Sequence, residues 1–344
     1  MSSSPCLRVV FMGTPQFSVP CLEYLLAHPQ LQVVGVMTQP DKPAGRGHKL
    51  TPPPVKQLAD AHGLPVAQPK RLRKDEAAQA WLADLQPDVL VTIAFGQILP
   101  MSVITLARLG VVNVHASLLP AYRGPNPIQW ALLNGDAETG LTTMLTEEGV
   151  DTGAMLLTQR LPITPEHTLA SLSMELAAMA GPLLADTLLR LDQGSLTPTP
   201  QAHELATHAP KLPPTANEVD WHQPAEVILR QQQAFAPKPA LVSMCMGERY
   251  KLTQLLLPTP QRLAEYEQTI NNATPGQIVG ILKEGLLVAT ASTPLVLATL
   301  QPAGKTPIPA NSWMRNLMAK ANVLPASDAS QPYPCFMPCQ ALMV

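Results

Sequence analysis

Eight consecutive residues, Asp88-Val89-Leu90-Val91-Thr92-Ile93-Ala94-Phe95, are nearly all apolar. A strand with one wet face alternates polar and apolar side chains, and this one does not. It has to be covered on both faces, as a strand is inside a parallel sheet flanked by helices. The start of the chain fits the same plan. Residues 7–12 read as a strand stopped by Gly13-Thr14-Pro15, 18–27 as a helix and 32–38 as a second strand. Such a βαβ opening predicts a parallel sheet with right-handed crossovers. Helices are predicted over 55–62 and 75–85, around a short strand at 65–67. The first turn is not Gly-x-Gly-x-x-Gly, because Thr, Pro, Gln, Phe and Ser follow Gly13. A dinucleotide pyrophosphate lacks its close backbone approach there, so no nucleotide cofactor is expected.

The following strand, 111–116, carries Asn113 and His115 on one face, since side chains alternate with period two. Val112, Val114 and Ala116 face the other way. Two polar side chains at the C-terminal end of an apolar strand are costly to bury without a purpose. In open α/β sheets that end is where ligands bind. The strand continues into Ser117-Leu118-Leu119-Pro120 and a loop through Tyr122-Arg123-Gly124-Pro125, before a helix over 127–133 started by proline. A strand at 142–145 then leads into Glu147-Glu148-Gly149-Val150-Asp151-Thr152-Gly153 and a second strand at 154–161, and a long amphipathic helix over 168–193 closes the domain. On residue type alone Asp151 is either a turn aspartate bonded to its own backbone or a carboxylate delivered to a site. The stretch from Gln39 to Lys49 is open in the same way. Its glycines and prolines exclude regular structure, and Lys42, Arg46 and Lys49 make it either a solvated surface loop or a phosphate-contacting one.

The remaining chain changes character. Residues 194–215 are rich in Ser, Thr and Pro and mark a linker or covering strap. From Trp221 onward a helix over 225–234 precedes five short strands at 240–246, 249–257, 276–282, 286–291 and 295–300, with hairpin turns at Met246-Gly247-Glu248 and Lys283-Glu284-Gly285. Five strands in so short a span predict a small antiparallel barrel of the oligonucleotide-binding (OB-like) type. The expected fold is therefore α/β: a Rossmann-like, mostly parallel sheet domain over 1–195, a linker over 196–216 and an OB-like barrel domain over 217–322. A terminal helix is predicted at 311–320, and the Pro-rich tail over 323–344 is expected to be disordered. The formal net charge of −2 gives no global basic field, so any nucleic acid has to meet a local patch. Five scattered cysteines, no apolar run near a membrane span and no charged leader read as a reduced, cytoplasmic protein away from membranes. No self-complementary apolar helix is left over, and a monomer is expected.

Asn113, His115 and Asp151 suit acyl or formyl transfer. An amide N–H and an imidazole can donate to the oxyanion of a tetrahedral intermediate. A carboxylate near the imidazole can hold its tautomer or take a proton from an attacking amine. Neither Gly-x-Ser-x-Gly nor a Cys–His signature occurs, which favours direct transfer between two bound substrates. His115 has no His at i+4 and no His/Cys cluster around it, so no metal is expected.

Asn113-Val114-His115-Ala116-Ser117-Leu118-Leu119-Pro120, Arg123-Gly124, Pro127-Ile128-Gln129-Trp130 and Gly149-Val150-Asp151-Thr152-Gly153 resemble the 10-formyltetrahydrofolate-dependent formyltransferases. Phe11-Met12-Gly13-Thr14-Pro15, the stretch from Thr38 to Gly47, Val219-Asp220-Trp221, Ala234-Phe235 and Leu300-Gln301-Pro302-Ala303-Gly304-Lys305 resemble the branch whose acceptor is initiator methionyl-tRNA. The resemblance implies that Asn113, His115 and Asp151 are the catalytic set and that 10-formyltetrahydrofolate is the formyl donor. It further implies that Ser117, Leu118, Leu119 and Pro120 line the folate pocket, with Phe95, Gly96, Ile98 and Leu99 beside it. Lys42, Arg46 and Lys49 then face the tRNA acceptor end, and Arg230 and Lys251 of the barrel face the tRNA. The chain departs from the family pattern at Pro125-Asn126, at Thr146-Glu147, in the lysine-poor stretch before Val219 and at Phe235-Ala236-Pro237-Lys238-Pro239. Rival readings are a formyltransferase for an amino sugar nucleotide or glycinamide ribonucleotide, a formyltetrahydrofolate hydrolase, and a non-catalytic tRNA- or folate-binding protein. The basic loop together with a barrel favours tRNA.

Overall fold

The structure, a computed structural model, describes residues 6–44, 49–320 and 333–337. Its chain divides into two compact units, one made of Met1–Ala131, Ala137–Thr164 and Ser171–Lys211, the other of Leu132–Asp136, Pro165–Ala170 and Leu212–Val344.

The first unit is built on strands β1 (Leu7–Gly13), β2 (Leu31–Met37), β3 (Lys42–Ala44), β4 (Lys49–Thr51), β5 (Val66–Ala67), β6 (Val89–Ile93), β7 (Val111–His115), β8 (Glu138–Leu145) and β9 (Met155–Pro162). Seven of these form one sheet in the order β5-β2-β1-β6-β7-β8-β9. Pairing is parallel from β5 to β7 and antiparallel from β7 to β9. The order reverses at β1, whose neighbours β2 and β6 follow it on opposite sides. This is the topological switch point, outside whose strand C-termini open α/β sheets bind ligands. β6 is buried at every residue, as its unbroken apolar run requires. Helices α1 (Val19–Ala27), α2 (Pro54–Ala61), α3 (Glu76–Asp84), α4 (Met101–Ile104), α5 (Pro127–Asn134) and α6 (Leu169–Asp192) accompany the strands. α3 starts where Asp75 accepts from the Ala78 N–H at 3.0 Å, an N-cap worth about 1 kcal/mol. Val10, Met12, Met37, Leu82, Leu90 and Phe95 belong to one buried cluster of this unit.

The structure refines three expectations. α6 is, by length and composition, apolar enough to cross a membrane, although it holds no unbroken apolar run of that length. Its apolar face is buried, with Leu172, Leu176, Leu184 and Leu188 fully covered, which accounts for the composition without a membrane. The stretch denied regular structure contains the β3–β4 hairpin, with Lys42 opposite Thr51 and Ala44 opposite Lys49. A two-stranded ribbon is all edge, and an edge strand accommodates Pro43. Residues 45–48, including Arg46, lie outside the described residues. Of the two alternatives for 194–215, linker or covering strap, the stretch from 199 to 209 takes the second. Met155 and Thr199 exchange two backbone bonds of 2.8 Å, and Arg123 pairs with Thr207 and Ala209 at 2.9 and 2.7 Å.

The second unit contains α7 (Ala225–Phe235), β10 (Leu241–Cys245), β11 (Glu248–Leu256), α8 (Pro260–Glu265), α9 (Glu267–Asn271), β12 (Ile278–Ile281), β13 (Leu286–Val288), β14 (Leu295–Pro302), β15 (Ile308–Pro309), α10 (Ala310–Lys320) and β16 (Phe336–Met337). Its curled sheet runs β12-β13-β14-β11-β10-β16, antiparallel throughout, with β15 on β14. Residues 333–337 of the tail therefore hold more order than expected. β16 pairs with β10, and the bridge Gln277–Cys335 lays the same segment beside the start of β12. Phe336 is buried near the Trp221 and Trp313 rings, at 5.9 and 6.2 Å between centroids.

Candidate active site

The site grows from the C-terminal end of β7, where Asn113 stands beside Thr92 of β6 and His115 beside Thr142 of β8. The Thr92 hydroxyl donates to Asn113 Oδ1 at 2.8 Å. That bond fixes which way the amide faces, and among the described residues its NH2 has no protein acceptor. His115 is buried. Its Nε2 lies 2.8 Å from the carbonyl oxygen of Tyr122, which can only accept, so Nε2 carries the hydrogen. Nδ1 faces Asp151 Oδ2 at 3.6 Å, too long for a direct hydrogen bond. Both side chains are largely out of water, the imidazole 7% and the carboxylate 18% exposed, so charges between them are weakly screened.

Asp151 is held by its surroundings. Its backbone lies in the left-handed region at φ 55°, and its Oδ2 accepts from the Gly124 N–H at 2.8 Å. Gly124 has φ 115°, and a Cβ there would sit 2.9 Å from the Ala209 carbonyl oxygen, so only glycine fits this approach. The result is Nδ1 turned towards a carboxylate with a gap between them. A group bringing a proton into that gap satisfies both, and the Asn113 NH2 is a donor for an oxyanion formed on the same strand end. Among the described residues no three His, Cys, Asp or Glu side chains cluster as a metal site requires.

The residues expected around a folate fall into two groups. Ile98 is 70% exposed and Gly96 is exposed with its carbonyl bound by Gln39 Nε2 at 3.1 Å, while Leu99 and Leu118 are half-buried. Phe95 packs in the core cluster, and its carbonyl accepts from Thr14 Oγ1 at 3.1 Å. Ser117 and Leu119 are buried in the loop's own framework. Ser117 Oγ donates to the Ala121 carbonyl at 2.6 Å, and the Leu119 N–H donates to Thr142 Oγ1 at 3.1 Å. Pro120, half-buried, follows a cis peptide bond. Of the basic residues, Lys42, Lys49 and Lys251 are exposed. Arg230 is half-buried, its Cδ only 2.6 Å from where a Cβ on Gly135 would lie.

Thr92, Gly124 and the Tyr122 carbonyl carry no role in the sequence reading. A backbone carbonyl or amide leaves no residue-type signal. For Gly124 the Arg-Gly-Pro context marks a special conformation, and for Thr92 a lone hydroxyl in an apolar run marks a buried bond.

A family model described as formyl transferase matches residues 7–188, and one described as formyl transferase, C-terminal domain, matches residues 211–317. A methionyl-tRNA formyltransferase of Synechococcus sp. (strain JA-2-3B'a(2-13)) is 48% identical over 302 residues, 87% of this chain and 92% of that protein. Another, from Roseiflexus castenholzii, is 44% identical over 311 residues, 90% of this chain and 96% of its own. Among solved structures, HypX from Aquifex aeolicus in complex with tetrahydrofolic acid has a TM-score of 0.58 at 16% identity. That likeness is one of fold, over 91% of this chain and 47% of HypX, so the chain spans about half of its length.

Proposed function

The chain belongs to the formyl transferase family, and we propose that Asn113, His115 and Asp151 perform its formyl transfer. The acceptor is the amino group of methionine carried by initiator tRNA, and a folate is the co-substrate. In this reading the donor is 10-formyltetrahydrofolate, bound along residues 117–120 and 95–99. The observation that carries it is the convergence of an amide NH2, an imidazole nitrogen and a carboxylate at the end of β7.

The neutral amine attacks the formyl carbon, and the C=O electrons move onto oxygen. The Asn113 NH2 donates to that oxyanion. His115 was expected to share the oxyanion, but its Nε2–H donates to Tyr122, so it handles the proton instead. Nδ1 takes a proton from the amine, and the imidazolium lies between the Tyr122 carbonyl and the Asp151 carboxylate. Collapse of the intermediate breaks the bond from carbon to N10, which recovers the proton from Nδ1. An α-amino group titrates near neutrality, so little work is needed to present it neutral. Lys42, Lys49 and Lys251, with Arg46 and Arg230, are proposed to meet tRNA phosphates. The proposed setting is a cytoplasmic monomer that uses neither metal nor nucleotide cofactor.

The test is transfer of radiolabelled formyl from 10-formyltetrahydrofolate to charged initiator tRNA, with an amino sugar nucleotide and water as competing acceptors. Label is expected on methionyl-tRNA. Label released as formate, or carried by the sugar, overturns the assignment.

A further inference from the structure

The strap over 199–209 lies between the two stretches that the family models match, yet its Gln201 is buried and sits behind Asp151. Its Nε2 donates to two carbonyls of the acidic turn, that of Asp151 at 2.9 Å and that of Gly153 at 2.8 Å. Its Oε1 accepts from Arg123 Nε at 3.0 Å and Nη2 at 2.7 Å. Arg123 is buried and also donates through Nη2 to His203 Nδ1 at 3.1 Å, a second strap residue. One amide therefore ties the turn that carries Asp151 to the loop Tyr122-Arg123-Gly124.

That loop supplies the acceptor for His115 Nε2 and the donor for Asp151 Oδ2. Both partners of the imidazole–carboxylate pair are thus fixed through segments joined at Gln201. Asp151 has to keep a left-handed backbone while its carboxylate stops 3.6 Å short of Nδ1. An unsupported turn relaxes from such a backbone, and the gap that receives the proton changes with it. Only an amide does this job, since it offers two N–H donors for the carbonyls and an acceptor for the guanidinium at once.

From this geometry we infer that Gln201 is a positioning residue for formyl transfer, acting through Asp151 together with Arg123. The inference rests on the reading that Asp151 takes part in the transfer. It extends the functional unit beyond β7 and the acidic turn to the strap.

Gln201→Glu is the decisive variant. It keeps the volume and the acceptor for Arg123 but has no N–H for the two carbonyls. Single-turnover formyl transfer is expected to slow about 10–10²-fold, the cost of a misplaced catalytic group, with KM for both substrates within about threefold of the parent. A purely structural role predicts instead a lowered melting temperature and a loss that adds to any other. The cycle with Asp151→Asn separates the two, because Gln201→Glu should cost almost nothing further once the carboxylate is gone. Additive losses, or an unchanged rate in Gln201→Glu, overturn the inference. An unchanged rate in Asp151→Asn would overturn the role given to Asp151 itself. Gln201→Ala, which loses both sets of bonds, is followed by circular dichroism so that a folding defect is recognised as such.

Discussion

Thr92 makes one hydrogen bond that the proposed chemistry depends on, the one that holds the Asn113 amide by its Oδ1. Thr92→Val keeps the shape of a buried β-branched residue and removes the hydroxyl. A hydrogen bond of this kind is worth roughly 0.5–1.5 kcal/mol, so turnover should fall about 2–10-fold as the amide loses its fixed orientation. Asn113→Asp removes the donor and opposes the oxyanion with a like charge, and a loss of about 10²–10³ in kcat is expected. For His115→Ala the expected loss is about 10²–10⁴. Steady-state kinetics on folded variants decide all three, and near-normal turnover of His115→Ala would remove the proton-transfer role. At this scale the sequence was informative where residue type carries the signal. Asn113 and His115 announce themselves as polar side chains at the end of an apolar strand. Gln201 does not, because its contacts join segments far apart in the chain, and the Tyr122 acceptor does not, because it is backbone.

The elements repeat that division. β6, β7 and the βαβ opening are legible because burial on both faces writes itself into uninterrupted apolar runs. The β3–β4 hairpin and the strap are not, since three-residue strands and extended straps leave no periodicity to read. Gly140 of β8 shows how tightly these elements are set against each other. A Cβ there would lie 2.1 Å from the Gln159 carbonyl oxygen and 2.5 Å from Leu118 Cδ2. The first obstacle is backbone and cannot rotate away. Gly140→Ala should open the β8–β9 pairing and disturb the loop that follows His115, destabilising by roughly 1–3 kcal/mol in thermal or urea denaturation. The hairpin makes a separate prediction. If Lys42 and Lys49 neutralise phosphates, alanine at each should weaken tRNA binding and reduce the slope of log K against log salt by about 1. An unchanged slope would return the hairpin to a solvated surface ribbon.

At the scale of the molecule, the least expected feature is where residues 333–337 of the Pro-rich stretch lie. Four prolines over 323–344 argue for disorder by composition, but burial of one aromatic is enough to dock a short segment. Phe336 lies opposite Cys245 across the β10–β16 pair, and the Met337 carbonyl accepts from Ser243 Oγ at 2.8 Å. A two-residue strand whose partner is some ninety positions away cannot be found from periodicity. Its consequence can be read from two cysteines, one in each unit. Burial pushes the Cys21 thiol up to about 12, and burial, with a smaller contribution from Cys335, does the same for Cys245. Only the thiolate is alkylated, so near pH 8 both should stay silent in the native protein while exposed Cys6 reacts, with Cys335 slower because partial burial raises its thiol as well. Raising the pH towards 10 ionises ordinary thiols and leaves these two protonated, so the contrast persists. Phe336→Ala removes the aromatic anchor of β16. It should make Cys245 reactive in an iodoacetamide pulse read by peptide mass spectrometry, while Cys21 remains protected. Release of Cys21 as well would mean that the whole fold had been lost. Continued protection of Cys245 would mean that the tail strand does not cover β10, and the second unit would then have to hold its core without it.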